Sequence, residues 1–296
     1  MSCEICNGTG WKLVDVEGRA SVVRCECWRD SLVERLIAEA RIPRRYSHCH
    51  LERFETYGNE SLQNALALAR SLVERFPVVS KGLFLIGQPG VGKTHLAVAI
   101  LRQLIEEKGA RGVFYDTRDL LRVIRSTYSP EAGSRTSESD VLRPVIEADL
   151  FVLDDLGAEK TSEWVDETLN YIVNSRYSER RLTIFTSNYD YSEDGDWTDP
   201  DSLPVRVGLR MFSRLHEMCE IHRLQGADYR ELPLNGTAED LRALWKVRSE
   251  RTRGLRGAGP RGGLGRQLPV RTAGQARARH ADESTELKWS GGRAGN

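Results

Sequence analysis

The chain has 296 residues, 40% of them hydrophobic and 29% charged, a composition that suits a globular protein of one large or two modest domains. It contains no apolar run of about 18 residues and no basic stretch leading into an apolar one near its start, so neither a transmembrane helix nor a secretory leader is read, and a cytoplasmic protein without membrane contact is expected. The formal net charge of zero conceals an asymmetry, because residues 236–296 hold 13 Lys+Arg against 6 Asp+Glu while the rest of the chain is acidic.

Four of the six cysteines open the chain: Cys3 and Cys6, then Cys25 and Cys27. Without an export signal, clustered cysteines point to metal rather than disulfides. Two close thiol pairs can converge on a tetrahedral Zn²⁺, and the turn-forming Gly8-Thr9-Gly10 lets the first pair curl around it. A segment this short has almost no apolar core, so metal would stabilise its fold. Free thiols or a redox pair are the alternatives. His48 and His50 flank Cys49, but four cysteines already complete a site, and the histidines read as bystanders.

A polar helix is expected over Asp30–Arg41, stopped by Pro43. Short apolar runs follow at Leu83–Ile86, Gly112–Tyr115, Leu150–Leu153 and Leu182–Phe185, and Glu220–Leu224 could be a fifth strand. Runs without alternation suit strands buried on both faces, and the helical patterns between them, such as Thr94–Lys108 closed by Gly109, imply a parallel α/β sheet. Thr237 and Asp240 form a capping box for a helix through Trp245. Beyond Arg253 the Gly/Arg-rich sequence cannot offset its ordering entropy. That basic segment is either a phosphate-binding arm or a solvated tail. Three regions result: 1–41, a Cys-rich module and helix; 42–235, an α/β domain; and 236–296, a basic helix and tail.

Gly87-Gln88-Pro89-Gly90-Val91-Gly92-Lys93-Thr94 fits the P-loop pattern, with a strand before it and a helix after. The glycines let backbone N–H groups turn toward phosphate oxygens of ATP, and the helix adds its positive end. Lys93 would reach the β- and γ-phosphates. Thr94 and Asp154, at the end of the third strand, would hold Mg²⁺. Asp155 stands where a base would orient the attacking water. Asn188, in Thr186-Ser187-Asn188 after the fourth strand, would sense the γ-phosphate, or be an ordinary turn residue at the strand's end. Arg214, with Arg210 in reserve, could act as an arginine finger in a neighbour's site, or be an ordinary surface arginine.

Taken together, Leu153-Asp154-Asp155-Leu156-Gly157-Ala158-Glu159-Lys160, Trp164, Asn174-Ser175-Arg176-Tyr177, Thr186-Ser187-Asn188, Ser213-Arg214-Leu215 and Gly226-Ala227-Asp228-Tyr229-Arg230 resemble the DnaC/DnaI-type helicase loaders and the related IstB transposition ATPases, both AAA+ proteins. The similarity runs from about Ile42 to Glu231. It implies a five-stranded parallel sheet of order 5-1-4-3-2, no helical lid domain, and ATP held between self-associating subunits. It also implies weak Mg²⁺-dependent ATP hydrolysis coupled to a DnaB-type replicative helicase and single-stranded DNA. Ile42–Tyr46 resembles the family segment near the adenine. The alternatives are an IstB-like transposition helper and an ATP-gated adaptor that never hydrolyses. A small-molecule kinase would need an Arg-rich lid and an acceptor pocket, and the sequence suggests neither.

Overall fold

A computed structural model describes residues 3–7, 9, 11–16, 19–128, 137–159, 162–192, 199–232 and 236–257. The described residues up to Arg253 belong to one compact unit. Gly8, Gly10, Lys160 and the Gly/Arg-rich segment from residue 258 onward lie outside the described residues.

Between the two cysteine pairs the chain makes an antiparallel hairpin, β1 (Trp11–Val16) and β2 (Arg19–Arg24), with Trp11 opposite Arg24 and Val14 opposite Ser21. The sequence reading does not contain this hairpin. Trp11, Leu13 and Val22 are exposed, so no buried face stands behind a period-2 signal. Two strands alone are marginal in water, and Arg24 adds one clamp by stacking over both Trp11 and Trp28. The helix expected at Asp30 starts earlier, as α1 (Cys27–Glu39), and it ends before Pro43 because Arg41 takes a left-handed φ of 58°.

Next come α2 (Glu60–Arg75), β3 (Gly82–Gly87), α3 (Lys93–Lys108), β4 (Gly112–Asp116), α4 (Thr117–Ser126), α5 (Glu138–Glu147), β5 (Leu150–Asp154), α6 (Glu163–Ser178) and β6 (Leu182–Ser187). After them come α7 (Leu203–Val207), α8 (Leu209–Met218), β7 (Cys219–Leu224) and α9 (Ala238–Gly257). The five strands from β3 onward form one parallel sheet of order β4-β5-β6-β3-β7. Counted from β3, this is the 5-1-4-3-2 order that the resemblance implied. Successive strand residues feed opposite cores. Leu83, Leu85, Val152 and Ile184 face the layer holding α2 and α3. Phe84, Ile86, Phe151, Leu153 and Phe185 face the layer holding α4, α5, α6 and α8. Both faces of β3, β4, β5 and β6 are therefore dry, which explains their continuous apolar runs. Each such side chain contributes about 1.5–3 kcal/mol on burial.

Helix ends follow the local sequence. Asn59 caps α2 by accepting from the Ser61 and Leu62 N–H groups. Ser137 and Asp140 make a reciprocal capping box at α5. Gly109 ends α3 in the left-handed conformation. Thr237 and Asp240 meet as expected, but α9 continues past Trp245 to Gly257.

Arg176 is the largest fully buried side chain. Its guanidinium donates to the carbonyls of Val145, Ile146 and Ala148 at the C-terminus of α5, to Leu182 O, and to Thr183 Oγ1. Burial pushes its pKa down to about 9, so it remains charged at neutral pH. The charge then meets the negative end of the α5 dipole. Arg176→Met should destabilise the fold by about 3 kcal/mol, because several buried carbonyls lose their donors at once. Chemical denaturation would show this as a lower midpoint, and an unchanged midpoint would refute it.

Candidate nucleotide site

The C-terminal edge of the sheet gathers the chemistry. The P-loop follows β3, Asp116 ends β4 beside Asp154 of β5, and Asn188 follows β6. The loop's backbone needs its glycines. Gly90 has a φ of +80°, and a Cβ there would lie 1.7 Å from the Asp228 carboxylate. Gly92 has a φ of +101°, and a Cβ there would press on the Phe54 ring at 2.8 Å. Gly92 also begins α3 without a side-chain cap, so no side chain competes for the first-turn N–H groups, which suit an anion.

Lys93 is buried and uses all three of its donors: to Gly87 O at 2.8 Å, Gln88 O at 2.9 Å and Asn188 Oδ1 at 2.7 Å. Burial pushes its pKa down to about 8, against the opposing pull of Asp154 and Asp155. The Asn188 amide then donates to Asp155 Oδ1 at 2.5 Å. Thr94 Oγ1 donates to the Asp154 carboxylate, 2.9 and 3.1 Å from its two oxygens. Thr186 completes the network. Its hydroxyl donates to Asp154 Oδ1 at 2.6 Å and accepts from the Asp155 N–H at 2.9 Å. That second bond helps hold Asp155 at a φ of 58°, a costly conformation for a non-glycine residue.

Burial raises the Asp154 pKa, opposed by the hydrogen bonds from Thr186 and Thr94. Burial also raises that of Asp155, reinforced by the negative charge of Asp116. The Thr94 hydroxyl and the Asp154 carboxylate it meets are hard oxygen donors of the kind that suit Mg²⁺. The structure therefore brings Lys93, Thr94, Asp154, Asp155 and Asn188 into one network. Arg214 lies elsewhere: on α8 it lines a cleft with Arg210 and the α6 residues Glu163, Asp166, Glu167 and Asn170. Among the described residues it shares no hydrogen bond with the network.

Several contributors were missed in the sequence. Thr186 was legible only as part of its tripeptide. Asp228 lies over Gly90, and the Tyr229 N–H donates to Gly90 O at 3.0 Å, so the Gly226–Arg230 segment braces the P-loop. Arg230 stands near enough that its charge acts on Lys93, Asp155 and Tyr46. Tyr46 is close to Thr94 and Asp154, at the phosphate end of the site. Arg248 of α9 donates to Gln88 Oε1, and Ala227, Leu244 and Val247 line an adjoining cleft of about 650 Å³.

Toward the N-terminus, the Sγ atoms of Cys3, Cys6, Cys25 and Cys27 all lie within 4.8 Å of one another, with Cys3–Cys25 at 3.7 Å and Cys6–Cys27 at 3.3 Å. The hairpin of β1 and β2 makes this possible by returning the second pair to the first. Such a cluster can hold a metal ion.

The sheet order, the P-loop and the paired aspartates define a P-loop NTPase fold of the AAA+ type. The chain belongs to the IstB-like ATP binding protein family, whose model matches residues 23–233. It is 30% identical over 148 residues to the replicative helicase loader DnaC of Escherichia coli (strain K12), a match covering 50% of this chain and 58% of that protein. It is 27% identical over 183 residues to the replicative helicase loader DnaC of Buchnera aphidicola subsp. Baizongia pistaciae, covering 62% and 69%. A crystal structure of the DnaC helicase loader superposes with a TM-score of 0.54 at 35% identity, covering 62% of this chain and 100% of that one. No described helix is long and apolar enough to cross a membrane.

Proposed function

We propose that this chain is a Mg²⁺-dependent ATPase of the helicase-loader kind, which uses ATP to deliver a replicative helicase to single-stranded DNA. The observation that carries this reading is the 35% identity to a crystallised DnaC helicase-loader chain, all of which is matched by 62% of this one. In the proposed site, the backbone of Gly87–Gly92 and the first turn of α3 surround the phosphates. Lys93 exchanges its bond to Asn188 for the β- and γ-oxygens, which frees Asn188 to face the γ-phosphate. Thr94 and Asp154 would hold Mg²⁺, which would supply positive charge against the phosphates. Asp155, kept in place by Thr186 and Asn188, orients the attacking water and receives its proton. Arg230 supplies positive charge from the same chain, and Arg214 supplies it to a neighbouring subunit.

ATP turnover of the purified chain with and without single-stranded DNA, and co-elution with the purified replicative helicase of the same cell, test this reading. Helicase binding that depends on ATP supports it. Absence of both stimulation and binding overturns it. The family model's IstB description favours a second reading, a transposition helper, and ATP-dependent association with a transposase instead of the helicase would establish that role. Helicase binding without any turnover would identify a non-hydrolysing adaptor.

The Lys93 pKa of about 8 carries a pH prediction. Phosphates beside the ammonium raise its pKa in the complex above that of the free protein, so binding above pH 8 takes up a proton. ATP affinity should therefore be level below about pH 8 and fall about tenfold per unit above it. A nucleotide titration from pH 7 to above 9 checks this, and a flat profile contradicts it.

The four N-terminal thiols would hold one Zn²⁺, which fixes their positions by tetrahedral ligation. A Zn–S length near 2.3 Å sets S–S edges of roughly 3.8 Å, which Cys3–Cys25 meets at 3.7 Å while Cys6–Cys27, at 3.3 Å, is shorter. Replacing Cys3 and Cys6 together by serine should remove about one zinc per chain, as elemental analysis would show. Unchanged metal content would end the assignment.

A further inference from the structure

A second group of metal-ligating side chains stands apart from the four N-terminal cysteines. Sequence alone sets His48 and His50 beside Cys49 without a function. The fold adds His95 from the first turn of α3, and the ligand atoms of His48, Cys49 and His95 all lie within 4.8 Å of one another. His50 takes another role: its carbonyl lies 3.3 Å from His95 Nε2.

We propose that His48, Cys49 and His95 form a binding site for a second Zn²⁺-class ion, with one coordination position left to solvent. Two imidazoles and a thiol are a borderline-soft donor set that selects zinc over Mg²⁺ or Ca²⁺. Three protein ligands with an open fourth position is an established zinc arrangement. The contact with His50 supports the assignment independently of the clustering. With Nε2–H donating to that carbonyl, the His95 ring keeps Nδ1 as its lone pair, and a backbone carbonyl on the opposite nitrogen is the usual orienting partner of a ligating histidine.

The parts are held to different degrees. Cys49 is 1% exposed, and its N–H donates to Tyr46 O at 3.1 Å. The His95 ring packs edge-on against Phe54 at 5.6 Å and His48 at 6.0 Å between centroids. His48 is exposed, so an ion can enter from its side. The competing explanation is that Cys49 is a core thiol beside two imidazoles in edge-to-face contact. That explanation requires no affinity for metal. Bound metal would tie the segment carrying Tyr46 to the turn that begins with Lys93 and Thr94.

The test uses the full chain with Cys3, Cys6, Cys25 and Cys27 all changed to serine, titrated with Co²⁺ under reducing conditions. One Co²⁺ should bind with a sulfur-to-cobalt charge-transfer band. Cys49→Ser in that background should abolish the band, and His48→Ala should weaken binding tenfold or more. A folded background protein that shows no thiolate band overturns the proposal. If that background does not fold, zinc content of the otherwise native chain decides. His48→Ala, at an exposed position, should then lose about one zinc relative to the unsubstituted protein, and equal content in the two overturns the site.

Discussion

Lys93→Ala should lower ATP affinity by roughly 100-fold and remove measurable turnover, while leaving the fold intact. The ammonium donates to two P-loop carbonyls and to Asn188. In the proposed complex it is the point charge on the β- and γ-phosphates. A charge-assisted hydrogen bond contributes about 1.5–3 kcal/mol, and losing more than one in a dry site reaches roughly 3 kcal/mol. The fold should survive because the alanine removes a charge whose pKa burial has already pushed down to about 8, so its desolvation cost disappears with it. A fluorescent ATP analogue that binds the variant as tightly as the native chain would contradict the site. A lowered denaturation midpoint would instead show that Lys93 acts mainly as a strut between the P-loop and Asn188.

Arg214→Ala should bind ATP almost normally and hydrolyse it slowly. On α8, Arg214 lines a cleft with α6 residues, none of which belongs to the Lys93 network of its own chain. A head-to-tail neighbour could bring its nucleotide to Arg214, and such contacts close into rings or continue as spirals. Arginine fingers contribute about 10³–10⁵ in rate. The loss should be nearer 10²-fold in this chain, on the order of 3 kcal/mol, because Arg230 already places a cation near Lys93 and Asp155 in cis. Mixing the Arg214→Ala and Lys93→Ala proteins gives the sharper measurement. Each alone has a defective interface, but the mixed one pairs an intact P-loop with an intact Arg214. Turnover should partly return. If the two proteins co-assemble and nothing returns, Arg214 does not act in trans.

How much of this was legible in the sequence varies by element. Four of the five sheet strands, β3 to β6, were visible as apolar runs because both faces of the sheet are covered there, whereas the edge strand β7 carries Glu220, His222 and Arg223 and is buried only at its ends. α3 was visible at both ends, from the P-loop glycines and Gly109. The hairpin of β1 and β2 was invisible for the converse reason: Trp11, Leu13 and Val22 are exposed, and its order comes from what it brings together rather than from a core. The full length of α9 was also hidden, since the Gly/Arg-rich composition near its end argues against helix.

The chain by itself determined the parallel α/β class, the P-loop at Gly87–Thr94, the aspartate pair ending β5, and the two thiol pairs. These are local: each depends on residue type within a few positions or on burial repeated along one strand. Only the tertiary structure decided what lies across those elements. It set Thr186 between Asp154 and Asp155, Asp228 over Gly90, Arg230 within reach of Lys93, and His95 beside His48 and Cys49. Those neighbours are separated by tens to more than a hundred positions along the chain. No local periodicity encodes them, because they meet only when buried strands order themselves in a sheet and carry their loops to one edge.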